Sequence, residues 1–287
     1  MPPALVRDLS PYPSPPLGAP VRVAFLGSAS GAGAHALHAP ANGLQPRFVE
    51  VRPGGDPRAA LADFAPHVVI ALEPGLLAPS ALEGVRAATL AVGAPASPDA
   101  FAGFDRVLGL PGATGVWRSR PLPVDDRLFS DVTPSRRPPK TLFVGRSTEH
   151  REWLLIPAKH DHEVVHFTHG LTGDALAREL RNADIGIALT AEPGHGFPAQ
   201  VLVHLAAGQL LLTEHLHPSC GLESGIDFLE LDSRDSLLTI LMQAKLHPDA
   251  YERVRIRGRM KAEQHRASLV WPRIVGDLLH DLRVFGR

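Results

Sequence analysis

The chain has 287 residues, 44% of them hydrophobic and 21% charged, with a formal net charge of −1 and a single cysteine. That length allows one large or two modest domains, each with a real core. The balanced charge offers no basic field for nucleic acid or an anionic membrane, and one cysteine excludes an intramolecular disulfide framework or a multi-cysteine zinc site. Residues 1–20 lack the apolar core of a signal peptide, and no apolar run approaches the ~20 residues of a membrane span. The expectation is a cytoplasmic protein with no transmembrane segment and no nucleic-acid partner.

Residues 1–20 are rich in proline and read as a tail. Residues 21–26 (VRVAFL) read as a strand, followed at once by Gly27, Gly31 and Gly33. The G-x-x-x-G-x-G spacing is not the dinucleotide fingerprint and lacks the Lys-Ser/Thr of a P-loop. It is either a ligand loop at the end of a first strand or a plain tight turn. Further strands are expected over 47–51, 67–72, 89–92 and 106–108, with helices over 57–64 and 79–87. Such alternation argues for a parallel sheet covered on both faces. Residues 131–139 (DVTPSRRPP) are polar and proline-rich, the composition of a linker.

A second alternation starts at Lys140, with strands over 141–145, 163–167 and 184–189 and helices over 150–158 and 173–182. Gly194 and Gly196 then make a loop, and Pro198 stands where a first helical residue tolerates a missing N–H. Residues 199–207 read as a short helix buried on all sides, stopped by Gly208 and followed by a buried strand over 210–213. The helix start faces the loop, and its unsatisfied N–H groups favour an anion, although most such loops in α/β proteins bind nothing. A last strand over 227–231 and helices over 233–245 and from 249 complete the chain, with Pro272 expected to kink or restart the terminal helix.

Other chemistries find little support. His160, His162, His166 and His169 straddle a strand whose alternation sends them to opposite faces, so no metal is expected. Cys220, in a loop with no base beside it, reads as inert. No Gly-x-Ser-x-Gly elbow is present.

The second half resembles the nucleotide-sugar-binding domain of a GT-B glycosyltransferase, nearest to the group-1, spore-maturation CgeB-like branch. KTLFVGRSTEHR (140–151) is similar to the strand that opens that domain, and Arg146 and Arg151 match its two basic positions. NADIGIAL and GFPAQVLVHLAAGQLLLTE resemble the family's strand, glycine loop, short helix and Ala-x-Gly strand. GIDFLELDSRDSLLTILMQAKLHP and HRASLVWPRIVGDLL resemble its next strand and helix and its terminal helix, and PLPVDDRLF its exit from the first domain.

The resemblance implies an α/β chain of GT-B type, with two Rossmann-like domains facing across a cleft and a C-terminal helix crossing back to the first. The domains would be 21–130 (acceptor side) and 140–270 (donor side), joined by 131–139, with 271–287 as the returning helix. It implies transfer of a sugar from a nucleoside-diphosphate donor to an unknown acceptor (glycan, lipid, protein or small molecule), with no metal, no separate cofactor, and retention of anomeric configuration. Arg146 and Arg151 would hold the diphosphate with the backbone at Phe197, Pro198, Ala199 and Gln200. The acceptor-side loop would comprise Gly27, Ser28, Gly31, Gly33 and His35. Alignment on Ala206-Ala207-Gly208 puts His195 and Val203 where the family carries two glutamates. His195 joins the two arginines as a candidate catalytic residue, and Glu192, Gly194, Gly196 and Glu214 are candidates for the donor sugar or ribose. The lost carboxylates keep open a non-catalytic relative that binds a nucleotide or a protein partner.

Overall fold

The computed structural model describes residues 10–12, 15–16, 18–78, 80–93, 101–194 and 196–286. Most of the expected tail and the candidate His195 lie outside them. The chain divides into two compact units, Met1–Ser119 with Ala267–Arg287, and Arg120–Arg266.

The first unit is built on strands β1 (Val21–Gly27), β2 (Leu44–Glu50), β3 (Val68–Ala71), β4 (Ala88–Val92), β5 (Arg106–Gly109) and β6 (Arg118–Ser119), with helix α1 (Arg58–Phe64). They form one parallel sheet in the order β2-β1-β3-β4-β5-β6. β3 and β4 lie inside the sheet and every residue of both is buried, which explains the apolar run VVIA and the run ATLAV, whose one polar residue, Thr89, donates its N–H and hydroxyl to Asp105. Pro46 is tolerated in β2 because that strand is the sheet's edge. The helix expected over 79–87 does not form: residues 80–84 make turns, and Gly84 at φ +77° ends a stretch too short to sustain a helix.

The second unit contains β7 (Thr141–Val144), α2 (Glu149–Asp161), β8 (Val164–Phe167), α3 (Gly173–Arg181), β9 (Ile185–Ala188), α4 (Gln200–Ala206), β10 (Leu210–Glu214), β11 (Leu229–Leu231), α5 (Arg234–Leu246) and α6 (Glu252–Ala262). Its parallel sheet runs β11-β10-β9-β7-β8. The core gathers Phe143, Leu155, Ile187, Leu212 and Leu237, each side chain contributing roughly 1.5–3 kcal/mol by leaving water. α4 is buried from Val201 to Ala206, as its apolar sequence requires. Gly208, at φ +72°, turns the chain out of it with Val132 packed so close that a Cβ would sit 3.2 Å from the valine methyl.

Residues 130–136 are tied down within this unit. Buried Arg255 donates to the carbonyl of Gly208 at 3.0 Å and to Ser135 Oγ at 2.6 Å, and Arg136 pairs with buried Asp184 at 3.2 Å. Burial lowers the Arg255 pKa, opposed by the charge of Asp184.

The terminal helix α7 (Ala267–Phe285) packs on the first unit. Trp271, fully buried, donates Nε1 to the carbonyl of His35 at 2.8 Å and meets the Phe25 ring edge-on at 5.1 Å. Pro272 does not restart this helix, which begins at Ala267 and runs through it. Proline removes the N–H that would serve the carbonyl of Ser268, and the Asn42 amide donates to that carbonyl instead, at 2.9 Å.

Candidate functional site

Both sheets are wound from a first strand outward to its neighbour and then back past it, so each has a crevice at the carboxyl ends of its first and third strands. The two crevices differ chemically. In the first unit it lies between β1 and β3, and Glu73, just after β3, accepts from the backbone N–H of Ser28 at 2.6 Å. Gly31 lets the Glu73 carboxylate approach, because a Cβ there would lie 2.6 Å from it and push that side chain aside. A carboxylate thus fills the mouth of the loop made by Gly27, Ser28, Gly31 and Gly33. His35 is buried beneath it, with its carbonyl taken by Trp271, and His38 Nε2 lies 2.9 Å from the carbonyl of Gly33.

In the second unit the crevice lies between β7 and β9, where Arg146 and Arg151 stand with the carboxylates of Glu192 and Glu214. The Arg151 guanidinium spans it, donating from Nη1 to the carbonyl of Arg146 at 2.9 Å, from Nε to Thr190 at 3.0 Å and from Nη2 to Leu189 at 2.9 Å. Its Cζ sits 5.7 Å from the centroid of the Phe143 ring. Burial lowers the pKa of Arg151, and the Glu214 charge opposes that shift. His166 lies with Nε2 2.8 Å from the carbonyl of Gly145, pinning the same loop from β8. Arg146 is exposed, and among the described residues its guanidinium has no hydrogen-bond or ion-pair partner. Arg151 therefore holds the loop, and Arg146 is the cation free to meet a ligand.

Glu214, the last residue of β10, is committed as well. One oxygen accepts from the N–H and hydroxyl of Thr190 at 2.9 and 2.7 Å, and the other lies 2.6 Å from His150 Nε2. Thr148 caps α2 through the N–H of Arg151 and donates its hydroxyl to the carbonyl of Ala191 at 2.6 Å. No side chain caps α4, where Ala199 and Gln200 can offer N–H groups; Pro198 has none. Gly196 is anchored to the far side by the N–H of His217, at 3.2 Å. Glu192 stands exposed beside Gly194, and among the described residues has no partner. Val203 is buried inside α4.

The structure thus brings Arg146, Arg151, Glu192, Gly194 and Glu214 to one end of one sheet, and His195 lies outside the described residues. His150, Thr190, Thr148 and His166 complete the network. Of these only Thr148 carried a sequence signal, as a threonine at the mouth of a helical pattern.

Elsewhere the histidines serve the scaffold. His204 is fully buried with Nδ1 2.6 Å from Gln209 Oε1, and burial pushes its pKa down to about 4. His160 and His169 bind their own sequence neighbours, and among the described residues no group of three potential ligands is arranged to hold a metal. Burial raises the pKa of Cys220, which leaves the thiol unactivated. Among the described residues no helix is long and apolar enough to cross a membrane.

No protein-family model matches the sequence, and no curated protein matches it. The architecture does have counterparts among solved structures. An alpha-glucosyltransferase in complex with UDP-glucose and DNA containing an abasic site aligns over 91% of this chain and 100% of its own, with TM-score 0.59 at 9% identity. HepE from Anabaena, in complex with UDP-glucose, aligns over 91% and 100%, with TM-score 0.59 at 11% identity. Sucrose-phosphate synthase from Thermosynechococcus elongatus aligns over 91% and 99%, with TM-score 0.54 at 10% identity. This chain has the GT-B fold. The GT-B architecture expected from the second-half motifs is the one observed, with two Rossmann-like parallel-sheet units and a C-terminal helix belonging to the first.

Proposed function

We propose that this GT-B protein, of the group-1, CgeB-like branch, moves a sugar from a nucleoside-diphosphate donor to an acceptor without a metal and with retention of configuration. One observation carries the reading: Arg146 offers an uncommitted guanidinium on a loop fixed by Arg151 and His166, at the strand ends where open α/β sheets take ligands. When the sugar leaves, negative charge grows on the diphosphate. Arg146 would stabilise that charge together with the N–H groups of Ala199 and Gln200, while Arg151 keeps the geometry. His195 and Glu192 would face the sugar, and the loop from Gly27 to His35 would serve the acceptor side. The solved GT-B structures hold UDP-glucose, which makes it the first donor to test. The test is release of nucleoside diphosphate and formation of product from UDP-sugars with glycan, lipid and small-molecule acceptors, with and without a chelator. Full activity after Arg146→Ala with Arg151→Ala would refute the mechanism.

A second reading, a non-catalytic relative that binds a nucleotide or a protein, is favoured by three features. Val203 cannot accept from a ribose hydroxyl, both Glu214 oxygens are engaged, and Glu73 occupies the first unit's crevice. Nucleotide binding without turnover on any sugar donor would establish it.

A further inference from the structure

A pocket of about 590 Å³ lies in the first unit, at the amino ends of β1, β3 and β4. These strands are parallel, so it stands at the opposite end of the sheet from the loop of Gly27 to His35. Its walls are aliphatic, with Leu61 and Ala62 from α1, Pro66 from the turn after it and Val85 from the segment before β4. Arg22 and His67 are fixed against one another at its edge. The Arg22 N–H donates to His67 Nδ1 at 2.9 Å, and Arg22 Nε donates to the carbonyl of Ala65 at 2.7 Å. With Nδ1 accepting, His67 is the neutral tautomer that carries its proton on Nε2. Burial, with the Arg22 charge, lowers the His67 pKa and keeps that form. Neither terminal nitrogen of Arg22 has a hydrogen-bond or ion-pair partner among the described residues, and Arg86, which also lines the pocket, has none at all. Arg58 is already paired, donating from Nε and Nη2 to the Asp56 carboxylate at 2.9 and 2.6 Å. One carboxylate, Glu83, completes the charged lining.

We propose that this pocket binds an aliphatic monocarboxylate, with the chain against Leu61, Ala62, Pro66 and Val85 and the carboxylate at Arg22 and Arg86. A guanidinium matches both oxygens of a carboxylate, and the His67 Nε2–H adds a neutral donor. The aliphatic walls take the chain out of water. Two uncommitted guanidiniums against the one carboxylate of Glu83 leave a surplus for a single negative charge, and a dianion would meet more repulsion from Glu83 than a monoanion does. The ligand class is therefore distinct from the diphosphate assigned to Arg146. The volume falls in the range of small-molecule sites, roughly 300–1,000 Å³. Arg22 and His67 are held by their backbone partners, so little side-chain ordering opposes binding there.

The test is calorimetric titration and amide-shift NMR on the full chain, using octanoate, acetate, octylammonium and octyl phosphate. Octanoate should bind the wild type at least about tenfold more tightly than acetate or octylammonium, with octyl phosphate no tighter than octanoate. The amide shifts should centre on Arg22, His67 and Arg86. Arg86→Glu, at an exposed position without partners, should weaken octanoate at least about tenfold and turn the preference to octylammonium, whereas Arg86→Lys should hold octanoate within about threefold. Equal affinity for octanoate and octylammonium in the wild type would overturn the proposal, as would unchanged octanoate affinity in Arg86→Glu, octyl phosphate binding more tightly than octanoate, or shifts centred outside the pocket. Octanoate should bind Arg146→Ala as it binds the wild type, so failure of this site and failure of the donor site are separate results.

Discussion

Arg151 donates from Nη1 to the carbonyl oxygen of Arg146 at 2.9 Å, so two arginines five residues apart do different work. One is structural and spends three donors on backbone carbonyls at the ends of β7 and β9; the other keeps its charge for a ligand. Arg151→Ala should therefore destabilise the fold by about 2–4 kcal/mol, since three carbonyls lose a charged donor. Arg146→Ala should change stability by less than about 0.5 kcal/mol. Urea unfolding of both variants checks the contrast, and equal losses would contradict the division of roles.

Glu214 makes three contacts with two residues, Thr190 after β9 and His150 in α2, which predicts a loss of about 2–3 kcal/mol for Glu214→Ala. Glu214→Gln keeps an acceptor for Thr190 and should cost about half as much. Hydrogen exchange at the Thr190 amide should accelerate in the alanine variant and stay slow in the glutamine one.

Stability should fall as pH drops from 6.5 towards 4. His204 and His265 are both held near a pKa of about 4, chiefly by burial, with the Arg120 charge also acting on His265. The unfolded imidazole takes up its proton as pH falls through 6.5, whereas the folded one resists until about 4, so the unfolded state binds more protons in that window. Each histidine should remove roughly 3 kcal/mol across it, and neither contributes a slope above pH 7. Urea midpoints between pH 7.5 and 4.5 measure the slope, and His204→Gln should flatten part of it.

Gly186 lies in β9 directly beneath the pair formed by His204 and Gln209. A Cβ there would lie 2.3 Å from His204 Nδ1 and 2.4 Å from Gln209 Oε1. Gly186→Ala should cost about 3 kcal/mol or more, because neither buried partner has room to retreat. Thermal unfolding would report it, and a neutral result would contradict the packing described here.

Much of the second unit was legible because its signals are local. The stretch from Val201 to Leu205, apolar but for His204, with Gly208 after it and the strand beyond, dictates a buried helix, a left-handed stop and a central strand within a few residues. The pairing of Glu214 with His150 had no such signal, since 64 residues separate partners that only the sheet order brings together. Arg151 shows the same limit. Spacing marked it as basic and near the loop, yet its commitment to carbonyls depends on where β9 ends. The stretch 79–87 failed for the opposite reason, a helical composition cut short by Gly84.

The most direct test of the central claim is a thermal-shift panel of UDP, GDP, ADP, CMP, dTDP and their sugars on the wild type and on Arg146→Ala. A nucleotide at ~100 times its dissociation constant should stabilise the wild type by about 2.7 kcal/mol. A shift with one base is expected that disappears in Arg146→Ala while the unliganded melting temperature stays unchanged. A shift of equal size in the variant, or none with any nucleotide, would contradict the assignment of Arg146 as the diphosphate ligand.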